Sequence, residues 1–129
     1  MEILRERPRS FRVLSGDDAL TLALIALGAD GLISVASNEA PALMSEMVKA
    51  ALAGEWTNAR ELHYQLLPLM EANFIESSPG PVKAALALMG LIEEHLRLPL
   101  VPVQEQTRAH LRGILVALGL LKGTSHAAS

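Results

Sequence analysis

The chain of 129 residues contains no cysteine. That excludes disulfides, thiolate catalysis and cysteine metal sites, and it makes the cytoplasm the expected compartment. Aromatic residues are scarce, with one Trp, one Tyr and two Phe, so a core built from this sequence must be aliphatic. Charge is also thin: 19% of residues are charged, and the formal net charge is −3. There is no basic stripe and no interleaving of basic and aromatic residues, so no nucleic-acid partner is expected. The opening "MEILRERPRS" is charged and has no apolar h-region, so it does not read as a signal peptide. The longest apolar tract, Ala19 to Ala36, is interrupted by Asp30, and "GADG" within it reads as a turn. A spanning helix needs about 20 predominantly apolar residues, so no membrane span is expected.

What the chain does have is aliphatic bulk. Half of its residues are hydrophobic, above the usual share for a domain of this size, and a surplus of that kind usually ends in an interface. Met1 to Arg7 reads as the last turns of a helix stopped by Pro8. Phe11 to Leu14 is a short apolar strand. A helix then runs from the Asp17 cap to about Leu27, where Gly28 ends it. Gly31 to Val35, "GLISV", is a second strand, apolar without clean alternation, as in parallel strands buried on both faces. A helix opens around Pro41 and closes at Gly54, with Leu43, Met44, Met47, Val48, Ala51 and Leu52 at helical spacing. Trp56 to about Asn73 is a long amphipathic helix that Pro68 should kink. "SSPGP" breaks the chain at Ser77 to Pro81. Val82 to Met89 forms a helix, Leu91 to Leu96 another turn or short helix, and "RLPLVPV" is irregular. Gln104 to Leu121 is a final amphipathic helix, and residues 122–129 read as a disordered tail. Strand, helix, strand is a βαβ unit, and two strands alone look like the end of an α/β fold.

Candidate chemistry is thin. Asp17-Asp18 is an acid pair at a strand-to-helix corner, and its plainer reading is a helix cap with favourable charge at the helix N-terminus. The four histidines, His63, His95, His110 and His126, have no partners at ligand spacing, so no metal is expected. Lys83, in "PVKAAL", could be a desolvated nucleophilic amine; the plainer reading is a helix lysine whose ammonium reaches solvent. Tyr64 reads as a half-buried helix position. No G-x-S-x-G context and no glycine-rich phosphate loop is present. "GLISVASN" is a second corner, where a buried strand ends in small and polar residues, the place where barrel enzymes keep their sites.

Taken in order, "RVLSGDDAL", "GLISVASN", "NFIESSPGPVKAALALMGLI", "RLPLVPV" and a closing "GLL" resemble the C-terminal part of the dihydrodipicolinate synthase family. That family sits in the wider superfamily that includes N-acetylneuraminate lyase. The resemblance runs from about Glu2 to Leu121. It implies an α/β fold: a C-terminal fragment of a (β/α)₈ TIM barrel, mostly helical as it stands. Residues 1–54 would hold the last two βα units, with Arg12 to Leu14 as strand seven and Gly31 to Val35 as strand eight. Residues 55–121 would be the appended helical region. The implied reaction is a lyase joining pyruvate through a Schiff base to a barrel lysine and condensing it with aspartate semialdehyde, on the route to lysine through diaminopimelate. No cofactor is implied.

By the same resemblance, Ile33 matches the isoleucine lining the pyruvate pocket, and Gly16 and Asp17 match the glycine and acid at its mouth. The family's Schiff-base lysine, relay tyrosine and threonine pair would all precede Met1. Lys83 and Tyr64 match helix residues of the C-terminal region and do not take those roles, so no catalytic residue is expected in this chain. The expectation is therefore a truncated chain, inactive alone, that needs the missing barrel half or a homo-oligomer. The alternative is a helical interaction or complementation module without catalysis. One departure stands out: the family pattern Asn-Pro-Ile-Pro-Val-Lys is here Ser78-Pro79-Gly80-Pro81-Val82-Lys83, which removes an amide group and a packing side chain.

Overall fold

The computed structural model describes residues 2–122, so His126 and all of the expected tail but Lys122 lie outside the described residues. Most of the described chain is helical. The order is α1 (Glu2–Glu6), β1 (Leu14–Ser15), α2 (Thr21–Ala26), β2 (Gly31–Leu32), a 3₁₀ turn (Ala36–Asn38), α3 (Pro41–Leu52), α4 (Trp56–Ala72), α5 (Gly80–Leu88) and α6 (Glu105–Ala117). The chain divides at Glu71–Ala72 into two compact units.

In the first unit β1 and β2 pair in parallel, Leu14 opposite Gly31 and Ser15 opposite Leu32. With α2 between them they form the expected βαβ unit, but both strands are shorter than the apolar runs suggest. At the start of β1 the reason lies in a side chain. The Val13 N–H, which would extend the strand, donates instead to the Asp30 carboxylate at 2.9 Å. Ladder bonds still continue past the regular strands: Asp30 N–H donates to the Val13 carbonyl at 2.8 Å and Ile33 N–H to the Ser15 carbonyl at 2.9 Å.

Asp30 is the centre of a clamp. Arg7 pairs with its Oδ2, and Arg12 donates to its Oδ1 at 2.7 Å. Arg7 also donates to the carbonyls of Gly28, at 2.6 Å, and Phe11, at 3.0 Å. This joins the segment after α1 to the entry of β2. The Val13 N–H bond first, then the two guanidinium groups, hold the Asp30 carboxyl well below the usual carboxylate range. In the sequence Asp30 reads only as a break in an apolar tract; its role needs residues about twenty positions upstream.

Helix ends follow local rules. Gly28 (φ +102°) and Gly54 (φ +79°) take a backbone conformation that costs other residues steric strain. At each, the next N–H reaches back to the last turn, Ala29 to the Leu24 carbonyl and Glu55 to the Ala50 carbonyl, both at 2.9 Å. The helices of this unit pack through small side chains: Ile25 of α2, Ala50 and Ala51 of α3 and Ala59 of α4 form a buried cluster, with Leu22 and Val48 against it. On α3, Met44 and Met47 are also buried, while Leu52, expected in the same stripe, is exposed. α4 continues through Pro68. Pro68 and Tyr64 both lie on its exposed side, where water can serve the carbonyl that lacks the proline N–H. Tyr64 is 64% exposed, not half-buried as its position suggested. α4 turns Ala59, Leu62, Leu66, Leu69 and Met70 inward at helical spacing.

In the second unit α5 packs on α6. Val82, Ala84 and Ala85 are buried on α5; Thr107, Leu111, Ile114 and Leu115 are buried on α6. The unusual Gly80 begins α5 and is buried beneath Val103, whose Cγ1 would lie 3.3 Å from an added Cβ. A larger residue there requires Val103 to move. Residues 91–104 form no helix, so of the further turn or short helix expected over Leu91 to Leu96 no helix forms, and the chain only bends at Leu91 and Ile92. The segment is tied at both ends instead. Lys83 Nζ donates to the His95 carbonyl, and Arg108 pairs with Glu94 at 2.6 Å. Gln104, at the N-terminus of α6, donates its N–H to Glu76 Oε1 at 3.0 Å.

Candidate functional site at two strand-to-helix corners

The two corners lie side by side because their strands are parallel neighbours. Continuing the register by one residue brings Gly16, just after β1, level with Ile33, just after β2. The chain thus places two of its three expected site residues at one height, at the C-terminal ends of adjacent strands. Ile33 is 70% exposed. Side chains alternate along a strand, so Ile33 points away from Leu32, which lines an open groove of about 560 Å³ beside α3 with Ser34, Ser37 and Met44. Ile33, Gly16 and Asp17 form no part of that groove. An added Cβ at Gly16 would meet no atom within 4 Å, so the first corner leaves open space there.

Asp17 is held through its backbone more than through its side chain. Ser15 Oγ donates to the Asp17 carbonyl at 2.7 Å and accepts its N–H at 3.2 Å. Thr21 Oγ1 donates to the same carbonyl at 2.8 Å. The carboxylate accepts the Leu20 N–H at 3.2 Å, one residue before regular helix begins at Thr21. The expected cap therefore serves a lead-in turn rather than α2 itself, whose N-cap Leu20 has no side-chain bond.

The neighbouring acid behaves differently. Asp18 is 2% exposed. Its Oδ2 accepts the N–H groups of Val35 and Ala36, each at 3.0 Å, across to the second corner. Among the described residues, Asp18 Oδ1 accepts no hydrogen bond. The 3₁₀ turn that follows is tied locally, with Ser37 N–H donating to Ser34 Oγ at 2.8 Å. In the sequence Asp17 and Asp18 read as one acid pair; burial and partners separate them, and only the fold supplies that distinction.

The other candidates lie elsewhere. Lys49 sits on α3, Lys83 on α5 and Lys122 beyond α6, so no lysine extends from either strand. Among the described residues, no three His, Asp or Glu side chains converge as a metal site needs, and no helix is long and apolar enough to cross a membrane.

Comparison with known proteins gives one consistent likeness. Residues 1–118 match the Dihydrodipicolinate synthetase family. The 4-hydroxy-tetrahydrodipicolinate synthase of Koribacter versatilis is 54% identical over 125 residues, which is 97% of this chain and 42% of that protein. The crystal structure of dihydrodipicolinate synthase from Aquifex aeolicus superposes with a TM-score of 0.90 at 46% identity, covering 95% of this chain and 42% of that one. The chloride-inhibited dihydrodipicolinate synthase from Acinetobacter baumannii, solved with pyruvate, superposes at 0.83 with 45% identity, covering 86% of this chain and 38% of that one. The chain therefore spans about two fifths of the length of the relatives it matches.

Proposed function

This chain belongs to the dihydrodipicolinate synthetase family, and from that premise we propose that it supplies strands seven and eight and the appended helices of a (β/α)₈ lyase. Residues 1–54 would form the last two βα units, and residues 55–121 the helical region. The reaction is the condensation of pyruvate, held as a Schiff base, with aspartate semialdehyde, on the route to lysine through diaminopimelate. The cytoplasm is the proposed compartment, in keeping with a chain free of cysteine.

The observation that carries this reading is the shared height of Gly16 and Ile33 at the C-terminal ends of two parallel strands. Barrel enzymes gather their sites at that end. In this reading Ile33 forms part of the wall around pyruvate, and Gly16 and Asp17 stand at the mouth of the pocket. In this reading Asp17 serves as a cap. Its Oδ1 accepts the Leu20 N–H, a capping bond, and its backbone is pinned by Ser15 and Thr21.

The Schiff-base lysine comes from sequence beyond these 129 residues. In the reaction that amine attacks the pyruvate C2 carbonyl, water leaves, and C3 loses a proton to give an enamine, which adds to the aldehyde carbon. The chain alone performs none of these steps. Among the described residues each strand of the two-stranded sheet keeps one edge unpaired, which favours pairing with further strands, either the rest of a barrel or another copy.

Borohydride trapping with pyruvate tests this directly. The chain alone should form no adduct. Combined with the part of the Koribacter relative that it does not cover, it should restore condensation, with the trapped adduct on the other polypeptide. A stable pyruvate adduct on this chain by itself would sink the reading.

A further inference from the structure

We infer that Asp18 is a positioning residue that locks the second strand-to-helix corner onto the first, and with it Ile33 and Ser34. Two-residue strands have few ladder bonds, and a pair of strands alone is marginal in water. The last ladder bond is Ile33 N–H to the Ser15 carbonyl. Beyond it the strands end, and the backbone of Val35 and Ala36 must turn into the 3₁₀ segment. The Asp18 carboxylate bridges the gap there, accepting both N–H groups at 3.0 Å from a side chain 2% exposed. Hydrogen bonds to a carboxylate are about twice as strong as neutral ones, and more so out of water.

Asp18 is itself anchored. Its carbonyl accepts the Thr21 N–H at 3.3 Å. The preceding carbonyl, of Asp17, is held by the hydroxyls of Ser15 and Thr21. A line of bonds thus runs from the end of β1, through Asp17 and Asp18, to the backbone two residues after Ile33. Ile33 is fixed from both sides: by Ser15 through its own N–H, and by Asp18 through Val35. Asp17, its neighbour, makes no such bridge and serves as the control. The consequence for pyruvate rests on the lyase reading above.

The test uses NMR on the full chain with three variants. In Asp18→Asn the amide oxygen can still accept from Val35 and Ala36, only more weakly; in Asp18→Ala nothing can. Exchange of the Val35 and Ala36 amide protons should accelerate at least about tenfold in Asp18→Ala, and less in Asp18→Asn. Both amide signals should move together, and the Ile33 methyl signals should shift with them. Asp17→Asn should leave all of these unchanged. If Asp18→Ala does not fold, Asp18→Asn decides alone: wild-type exchange and wild-type shifts at Val35 and Ala36 overturn the proposal. A wild-type chain whose Val35 and Ala36 amides already exchange at the solvent rate overturns it as well. None of these readouts involves pyruvate. In the complex with the remainder of the Koribacter relative, Asp18→Asn should raise KM for pyruvate several-fold with kcat little changed. A wild-type complex that does not turn over would refute the lyase reading while the amide result still judges Asp18.

Discussion

Replacing Leu115 by Ala probes whether α6 is held by burial or by helix propensity. Leu115 is fully buried on α6, one turn beyond Leu111, which is equally buried. Truncation removes three carbons, about 2.4 kcal/mol at ~0.8 kcal/mol for each buried carbon group. The cavity left behind adds to that, and fully buried leucines truncated to alanine cost about 2.7–5 kcal/mol altogether. Alanine is the better helix former by only a few tenths of a kcal/mol. The expected net loss is about 3 kcal/mol. A compact unit of roughly 50 residues has only about 2.5–7.5 kcal/mol to lose, at ~0.05–0.15 kcal/mol per residue. Leu115→Ala should therefore bring the second unit close to its limit. In urea unfolding followed by far-ultraviolet circular dichroism, the midpoint should fall by about 2 M, taking a slope of ~1.5 kcal/mol per M. Val116→Ala, at a neighbouring residue 37% exposed, should shift it by well under half as much. Equal shifts for the two variants would refute the idea that α6 is stabilised through its buried face.

Three further outcomes follow from the ionisable groups. Because its partners depress the folded-state pKa of Asp30, its contribution is fully present above the unfolded value of about 4. It is lost as pH falls through the lower folded value. Asp30→Asn should flatten the acid side of a plot of Tm against pH, and a plot unchanged from wild type would contradict the clamp. Burial pushes the His63 imidazole down, so below about pH 6.5 the unfolded chain binds a proton that the fold resists, and stability falls as pH falls. An NMR titration should place His63 below the ordinary histidine value of about 6.5, and His63→Gln should remove that part of the pH dependence; a His63 that titrates at the ordinary value would rule this out. Lys83→Met removes the donor to the His95 carbonyl and should speed tryptic cleavage after Arg97 several-fold in limited digestion, whereas cleavage at the wild-type rate would show that this tie does not restrain the loop.

Much of the element order was legible from the residues. Helical spacing marked α3, α4 and α6 because side chains three and four apart share a helix face, and that face is what packing buries. Gly28 and Gly54 marked helix ends because their positive φ is a local steric matter. The resemblance carried by "RVLSGDDAL" and "GLISVASN" named the family that comparison then established. Strand length was less legible: the apolar runs suggested four and five residues, but Asp30, from the far side of α2, takes the N–H that would extend β1. The exposure of Tyr64 also escaped, since periodicity gives a helix a buried face without saying how wide that face is.

The sequence by itself determined the aliphatic core, the helical periodicities, the βαβ order and the family, because each depends on neighbours a few residues apart or on the residue pattern as a whole. Only the tertiary structure decided what the acids do. Asp17 and Asp18 are adjacent and chemically identical. The β1–β2 register exposes one and buries the other against amides 17 and 18 residues away. A hydrogen bond across that span depends on where two corners meet in space, and no local spacing encodes it.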